Sequence, residues 1–230
     1  MSKIFATFLA GINLIKIKNI LNNLDEKNYL EYFKALIEYY NILKENYPSD
    51  NLKFNIEILF YSGINKLFEL IDESDDKEKN LIKFNQLDEI LKIQDLPNYI
   101  ISLCLNKQGF CLLEMDPKLN KNIAFEKFYK ALELSPDFKT FNKIFETLFH
   151  FFKEFDILES FSDKICKNVD KFSDNIINII MIYKIIFLTL KEDYKDAYNI
   201  GINYIPKIYE IIKNDEDIEV ITRIFYFSSS

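Results

Sequence analysis

NIAFEKFYKALELSP, residues 122–136, is the stretch that decides the fold of this chain. Its apolar residues recur at intervals of three and four, so most of them lie on one side of a helix of about four turns. These residues are Ile123, Ala124, Phe128, Ala131, Leu132 and Leu134. Because the small Ala124 and Ala131 flank the large ring of Phe128, another helix can lie close on either side of it. The stretch is therefore predicted to be an amphipathic packing helix that ends at Ser135-Pro136.

The composition of the whole chain favours an almost entirely helical protein. Its 230 residues include four Gly and five Pro, too few for the turns of a strand-and-hairpin architecture of this length. With 49% hydrophobic and 28% charged residues the chain can bury a core, and disorder is not expected.

Breaks in the apolar pattern divide the chain into helix pairs. The breaks lie at Pro48, Pro97, Pro136 and in polar runs near residues 172 and 214. The predicted pairs cover residues 3–46, 52–93, 99–134, 138–169 and 176–213, and a possible capping helix covers 218–227. The tenth helix contains Pro206, and we expect a kink there because proline has no amide to bond to the carbonyl of Ile202. Residues 1–230 are thus predicted to form one domain of about 10 to 11 helices.

The stretch 122–136 resembles the second helix of a tetratricopeptide repeat, a family in which each repeat is a pair of antiparallel helices. The family pattern has a small residue, an aromatic residue four later, Ala three later and Pro after five more. Four residues meet it: Ala124, Phe128, Ala131 and Pro136. The resemblance implies an all-α fold of helix pairs stacked as a right-handed α-solenoid. The predicted periods are longer than the family's, and other α-solenoids fit the flanking regions nearly as well.

The preceding helix matches the family in part. Leu105, Gly109 and Leu112 fit the large, small and large positions of the family's first helix if the connecting loop is about three residues longer than usual. In such proteins the first helices of successive pairs line a concave groove that binds a segment of a partner. Alignment on Gly109 and Phe145 places seven residues toward that groove: Asn106, Phe110, Glu114, Asn142, Glu146, Phe149 and His150.

These seven residues predict a groove for an apolar or mixed partner segment. The alternative is that they are polar surface and inter-repeat packing residues. Some members of the family bind a C-terminal carboxylate with an Asn directly after the small glycine position, but this chain has Phe110 there, so no carboxylate clamp is expected. The resemblance implies a protein-interaction scaffold, or, in the same fold, a chaperone or an accessory domain of a larger enzyme or assembly.

Charge and residue inventory disfavour nucleic-acid binding and catalysis. The formal net charge is -7, and Lys alternates with acidic residues, so no basic face for phosphates is evident. His150 is the one histidine, and the sequence contains no P-loop, GxGxxG, GxSxG, HExxH or CxxC motif. We therefore predict no catalytic residues and no cofactor.

An enzyme would have to use the acidic clusters. Asp72, Asp75 and Asp76 resemble the DxxDD motif with which helical isoprenoid synthases hold Mg²⁺ against a diphosphate, and Asp170 with Asp174 would be the second ligand pair. Lysines flank the first cluster, however, and the diphosphate-binding arginines of such enzymes are missing. A charged loop without metal is the preferred interpretation.

Cysteine use and apolar runs bear on the location of the protein. Cys104 and Cys111 are about 10 Å apart along one helix, beyond disulfide reach, so with Cys166 they are predicted to be buried thiols of a cytoplasmic protein. The uncharged run 4–15 resembles a secretory signal, but no clear cleavage site follows it. The same region fits an amphipathic first helix through Phe5, Phe8, Ile12, Ile15 and Leu21. No membrane span is predicted, since the apolar run 176–190 is shorter than the roughly 20 residues required.

Overall fold

The computed structural model shows a chain built from α-helices. The structure describes residues 3–25, 27–46, 50–73, 78–136, 138–152, 155–167, 172 and 174–213. Within these ranges there are ten helices and no strands: α1 (Lys3–Asn22), α2 (Tyr29–Asn46), α3 (Asp50–Glu73), α4 (Lys79–Leu91), α5 (Asn98–Met115), α6 (Pro117–Leu134), α7 (Phe138–Phe152), α8 (Phe155–Cys166), α9 (Asp174–Leu190) and α10 (Tyr194–Lys213). The all-α prediction is confirmed. The predicted helix 218–227 lies outside the described residues.

Helix α6 begins earlier than predicted, at Pro117 instead of residue 122. The Asp116 carboxylate accepts hydrogen bonds from the backbone amides of Lys118 and Leu119, both at 2.9 Å, and so caps the helix. Proline suits the first helical position because its φ is already helical and its missing amide has no partner to lose. The Asp116-Pro117 pair is therefore the start of α6.

The organising stretch packs largely as predicted. Ala124, Phe128, Ala131 and Leu132 are fully buried, which confirms the small-large-small packing face. The other two residues of the predicted apolar set are not fully buried: Ile123 is exposed and Leu134 is half-buried.

The chain divides into two compact units, residues 1–127 and 128–230, with the division inside α6. In the first unit sequence neighbours from α1 to α5 pack against one another, and α2 also packs against α4. The core centres on three rings: Phe33 lies 5.1 Å from Tyr32 and 5.0 Å from Phe60, measured between centroids. Gly63 of α3 allows this approach, because a Cβ at Gly63 would collide with the Tyr32 ring.

Polar contacts fix the end of α1 and the turn that follows. The Asp25 carboxylate accepts hydrogen bonds from the amides of Lys27 (2.8 Å) and Asn28 (2.9 Å), just before α2 begins. The Lys66 ammonium of α3 donates to the carbonyl oxygens of Leu21 (2.5 Å) and Asn22 (3.0 Å). The Leu21 carbonyl also accepts a longer hydrogen bond, of 3.4 Å, from the Leu24 amide. Because the last carbonyls of a helix lack the usual amide four residues on, Lys66 caps α1 from outside.

In the second unit α7 packs against α8 and α9, and α9 packs against α8 and α10. The ring of Tyr183 on α9 lies 3.9 Å from Phe145 and 5.9 Å from Phe141, measured between centroids. A tight turn at Glu192, whose φ is 63°, leads into α10. Pro206 lies inside α10, as predicted.

Candidate functional site

Three residues of the predicted groove lie on α5, four positions apart and hence on one side of the helix. Asn106 is buried, Phe110 is half-buried and Glu114 is exposed. This side of α5 is therefore buried at Asn106 and becomes exposed toward the C-terminal end of the helix. A partner could reach it at Glu114 and, in part, at Phe110.

The other predicted groove residues lie on α7. Glu146 and His150 are exposed, and the ring of His150 meets Phe151 edge-on with 5.1 Å between centroids. The side chains of Asn142 and Phe149 lie outside the described part of the structure. Because α5 and α7 belong to different compact units, the groove that combines them stays a prediction.

Some of the aromatic side chains of α7 pack in the core of the second unit. Phe141 and Phe145 are buried against Tyr183, whereas Phe151 and Phe152 are half-buried. Burial, with a smaller effect of the Glu146 charge, raises the pKa of Tyr183 above its ordinary value, so its hydroxyl stays neutral. The buried rings pack the core and are closed to a partner.

Helix α1 forms as predicted, but its Phe8 side faces solvent. Phe8, Ile12 and Ile15 are 64%, 47% and 63% exposed. Ala10 and Ile17 lie on the opposite side, in the core. Of the apolar residues predicted to form the face of this helix, three therefore face solvent, whereas Leu21 is half-buried and packs against the core. The side chain of Phe5 lies outside the described part of the structure.

The polar residues of α1 explain this orientation. The helix is apolar nearly all round in its first half, so period alone could not identify the buried side. In its second half the polar residues Lys16, Lys18, Asn19 and Asn22 fall on the Phe8 side of the spiral and are exposed. They turn that whole side outward and leave three large apolar side chains uncovered.

A second apolar series is exposed on α10. Tyr194, Tyr198 and Ile202 recur every four residues and are 62%, 69% and 56% exposed. Ala197 and Gly201, between them in sequence, are buried. The sequence analysis did not predict this surface. Two tyrosines four residues apart, with polar residues between them, are a sequence signal that could have indicated it.

Lysines gather where α3, α4, α5 and α6 meet within the first unit. The Lys83 ammonium lies 2.6 Å from the Asp72 carboxylate and 5.1 Å from the centroid of Phe68. The Lys127 ammonium donates to the buried side-chain carbonyl of Gln108 at 2.8 Å. Burial lowers the pKa of Lys107, and nearby Lys83 lowers it further, whereas Cys111 opposes the shift. The lysines are thus partly desolvated side chains at the edge of the core.

The cysteines are free thiols, and Cys104 and Cys111 are buried as predicted, while Cys166 is half-buried. Burial raises the pKa of Cys111 to about 12 and raises that of Cys104 as well. Because the thiolate is the reactive form, these two thiols are poorly suited to nucleophilic chemistry at neutral pH.

The acidic motif is described only at its first residue. Asp72 is paired with Lys83, and its backbone carbonyl accepts a hydrogen bond from Lys79 at 2.5 Å. Asp75, Asp76 and Asp170 lie outside the described ranges, and Asp174 is exposed. Among the described side chains no three His, Cys, Asp or Glu form a group that could hold a metal ion.

Comparison with known proteins gives no relative: no family model matches the chain, and neither a curated protein nor a solved structure is significantly similar to it. None of the described helices has both the length and the apolar character needed to cross a membrane.

Proposed function

We propose that this chain is a tetratricopeptide-like helical-repeat protein that works as a protein-interaction scaffold. The packing of helices against their next-but-one neighbours, α2 with α4 and α7 with α9, supports stacked helix pairs, and so does the buried face at Ala124, Phe128 and Ala131. The right-handed solenoid and the groove of the α5 and α7 residues belong to this proposal.

The exposed series on α10 is the observation that carries partner binding. Tyr194, Tyr198 and Ile202 form a continuous apolar strip, and aromatic residues of this kind are enriched at the centres of protein interfaces. Leaving such side chains in water forfeits about 1.5 to 3 kcal/mol for each one that a partner could bury fully. A partner that covers the strip recovers part of this free energy.

Charges of both signs lie near the start of the strip. Lys191, Glu192 and Asp193 are exposed in the turn before α10. At about 100° per residue, Lys195 lies about 60° from Tyr198 around the helix, and Asp196 lies on the far side. The fitting occupant is therefore a segment of another protein that presents apolar side chains among polar residues.

Site-specific photocrosslinking tests this proposal in cells that make the protein. A photoreactive phenylalanine analogue replaces Tyr198. In the control it replaces Asn203, which is also an exposed residue of α10 but lies on the polar side of the helix. We expect a discrete protein adduct from position 198 and none from position 203.

The captured protein is then purified and its affinity measured. Tyr198→Ala should weaken binding at least tenfold, as truncation of an aromatic anchor does, and Asn203→Ala should leave it unchanged. Equal adducts from both positions, or no adduct from either, would contradict partner binding by α10.

A further inference from the structure

Helix α1 carries exposed apolar side chains with a lysine on either side of their C-terminal end. At about 100° per residue, Ile12 and Ile15 lie within about 40° of Phe8 around the helix, and Lys16 and Lys18 lie about 80° to either side. All five side chains are exposed. The surface is thus an apolar strip, about 10 Å long between residues 8 and 15, with one cationic group on each edge.

The charge of α1 runs against that of the chain. The helix contains Lys3, Lys16 and Lys18 and no Asp or Glu, whereas the whole chain has a formal net charge of -7. The Lys16 ammonium lies 3.1 Å from the Glu31 carboxylate of α2, and both groups are largely open to solvent. Such an exposed pair contributes little and leaves the cation available to another anion.

We infer that this side of α1 binds the surface of an anionic lipid membrane and lies in its plane. Interfacial helices combine an apolar strip that enters the headgroup region with lysines that reach the lipid phosphates and carboxylates. The opposite side of α1 is held by Ala10 and Ile17 in the core, so the helix stays attached to its unit. This inference is independent of partner binding by α10.

A second copy of the chain fits this strip poorly. Two α1 helices in parallel contact bring the Lys16 and Lys18 of both copies together, and an antiparallel contact offers these lysines no carboxylate of α1, which has no acidic residue. An anionic lipid surface instead meets every lysine of the strip with opposite charge.

Vesicle sedimentation of the full chain tests the inference. The protein is mixed with vesicles of phosphatidylcholine alone or of phosphatidylcholine with phosphatidylserine. We expect sedimentation with the anionic vesicles only, and release as salt is added, because counterions screen the lysines.

Matched variants locate the binding surface. Ile12→Ser should weaken binding to anionic vesicles about tenfold or more, and Ile58→Ser, at a side chain of α3 with the same 47% exposure, should not. Lys18→Gln should weaken it about fivefold, and Lys34→Gln on α2 should not. All four side chains are exposed, so helical circular dichroism and melting temperature should stay unchanged.

Four results would overturn the inference. The first is no sedimentation with anionic vesicles, and the second is equal binding to both vesicle types. The third is equal loss in Ile12→Ser and Ile58→Ser. A dimer in solution that Ile12→Ser dissociates, without vesicle binding, would assign the strip to a second copy and also overturn it.

Discussion

Replacing Gly63 by Ala is expected to destabilise the protein by about 2 kcal/mol, although Ala is the better helix former. In an open helix the exchange stabilises by about 1 kcal/mol. At Gly63 the new Cβ would collide with Cε1 of Tyr32 and lie 3.0 Å from Cδ1 of the same ring and 3.1 Å from Cζ of Phe33. Overpacking of this kind costs about 1 to 3 kcal/mol.

The Tyr32 ring has little freedom to move away. It is fully buried, and its hydroxyl donates to the Leu59 carbonyl at 2.5 Å. A shift of the ring weakens that hydrogen bond, which adds about 1 kcal/mol to the cost. The sum of these costs exceeds the gain in helix propensity.

Urea unfolding curves of Gly63→Ala and of Gly11→Ala provide the measurement. Gly11 is the matched control, since it also lies inside a helix but has no heavy atom within 4 Å of where its Cβ would be. Gly11→Ala should stabilise by about 1 kcal/mol. A similar rise in both midpoints would refute the close approach of α2 and α3. In a Tyr32→Ala background the cost of Gly63→Ala should shrink by at least about 1 kcal/mol, and strict additivity would refute the role of the ring.

Three further substitutions test the ends of helices and a buried charge. Lys66→Met should lower the free energy of unfolding by about 1 to 2 kcal/mol, because it removes the donor that caps α1; an unchanged urea midpoint would contradict this. Glu192→Gly should raise the melting temperature, with a gain of about 1 kcal/mol, because its φ of 63° suits glycine better than glutamate; Glu192→Ala should give no such gain. Lys107→Met should stabilise the protein at pH 7, because the lowered pKa of Lys107 reflects a desolvated cation. The Lys107 side chain binds its proton more tightly in the unfolded chain than in the folded one, so the stability of the parent protein rises as pH approaches 10.5. The stability advantage of Lys107→Met over the parent should therefore shrink as pH rises. An advantage that grows with pH would contradict the lowered pKa of Lys107.

Helix positions were readable from sequence because the chain marks its breaks with proline and polar runs. The start of α6 was missed for a local reason. Proline both ends a helix and begins one, and only the hydrogen bonds from the amides of Lys118 and Leu119 to Asp116 show that Pro117 begins it. The buried side of α1 was misjudged because Phe8, Ile12 and Ile15 fit the helical period as well as the true core residues do.

The candidate site was less predictable than the fold. Spacing alone puts Asn106, Phe110 and Glu114 on one side of α5. Their exposure depends on the helices that cover that side, and it ranges from buried at the first of them to exposed at the last. The exposed strip on α10 depends in the same way on which side α9 covers. Periodicity gives the faces of a helix, and the neighbours decide which face is left for a partner.

Exposed apolar strips on α1 and α10 each contain three large side chains but differ in the charges near them. Helix α1 has lysines and no acidic residue. Near the start of the α10 strip, Glu192 and Asp193 are exposed together with Lys191 and Lys195. Apolar burial gives affinity to either surface without choosing a partner, whereas the like charge of a wrong partner costs free energy at close range. We therefore expect an anionic membrane to prefer the strip on α1, and we expect the mixed charge near the α10 strip to favour neither sign of partner.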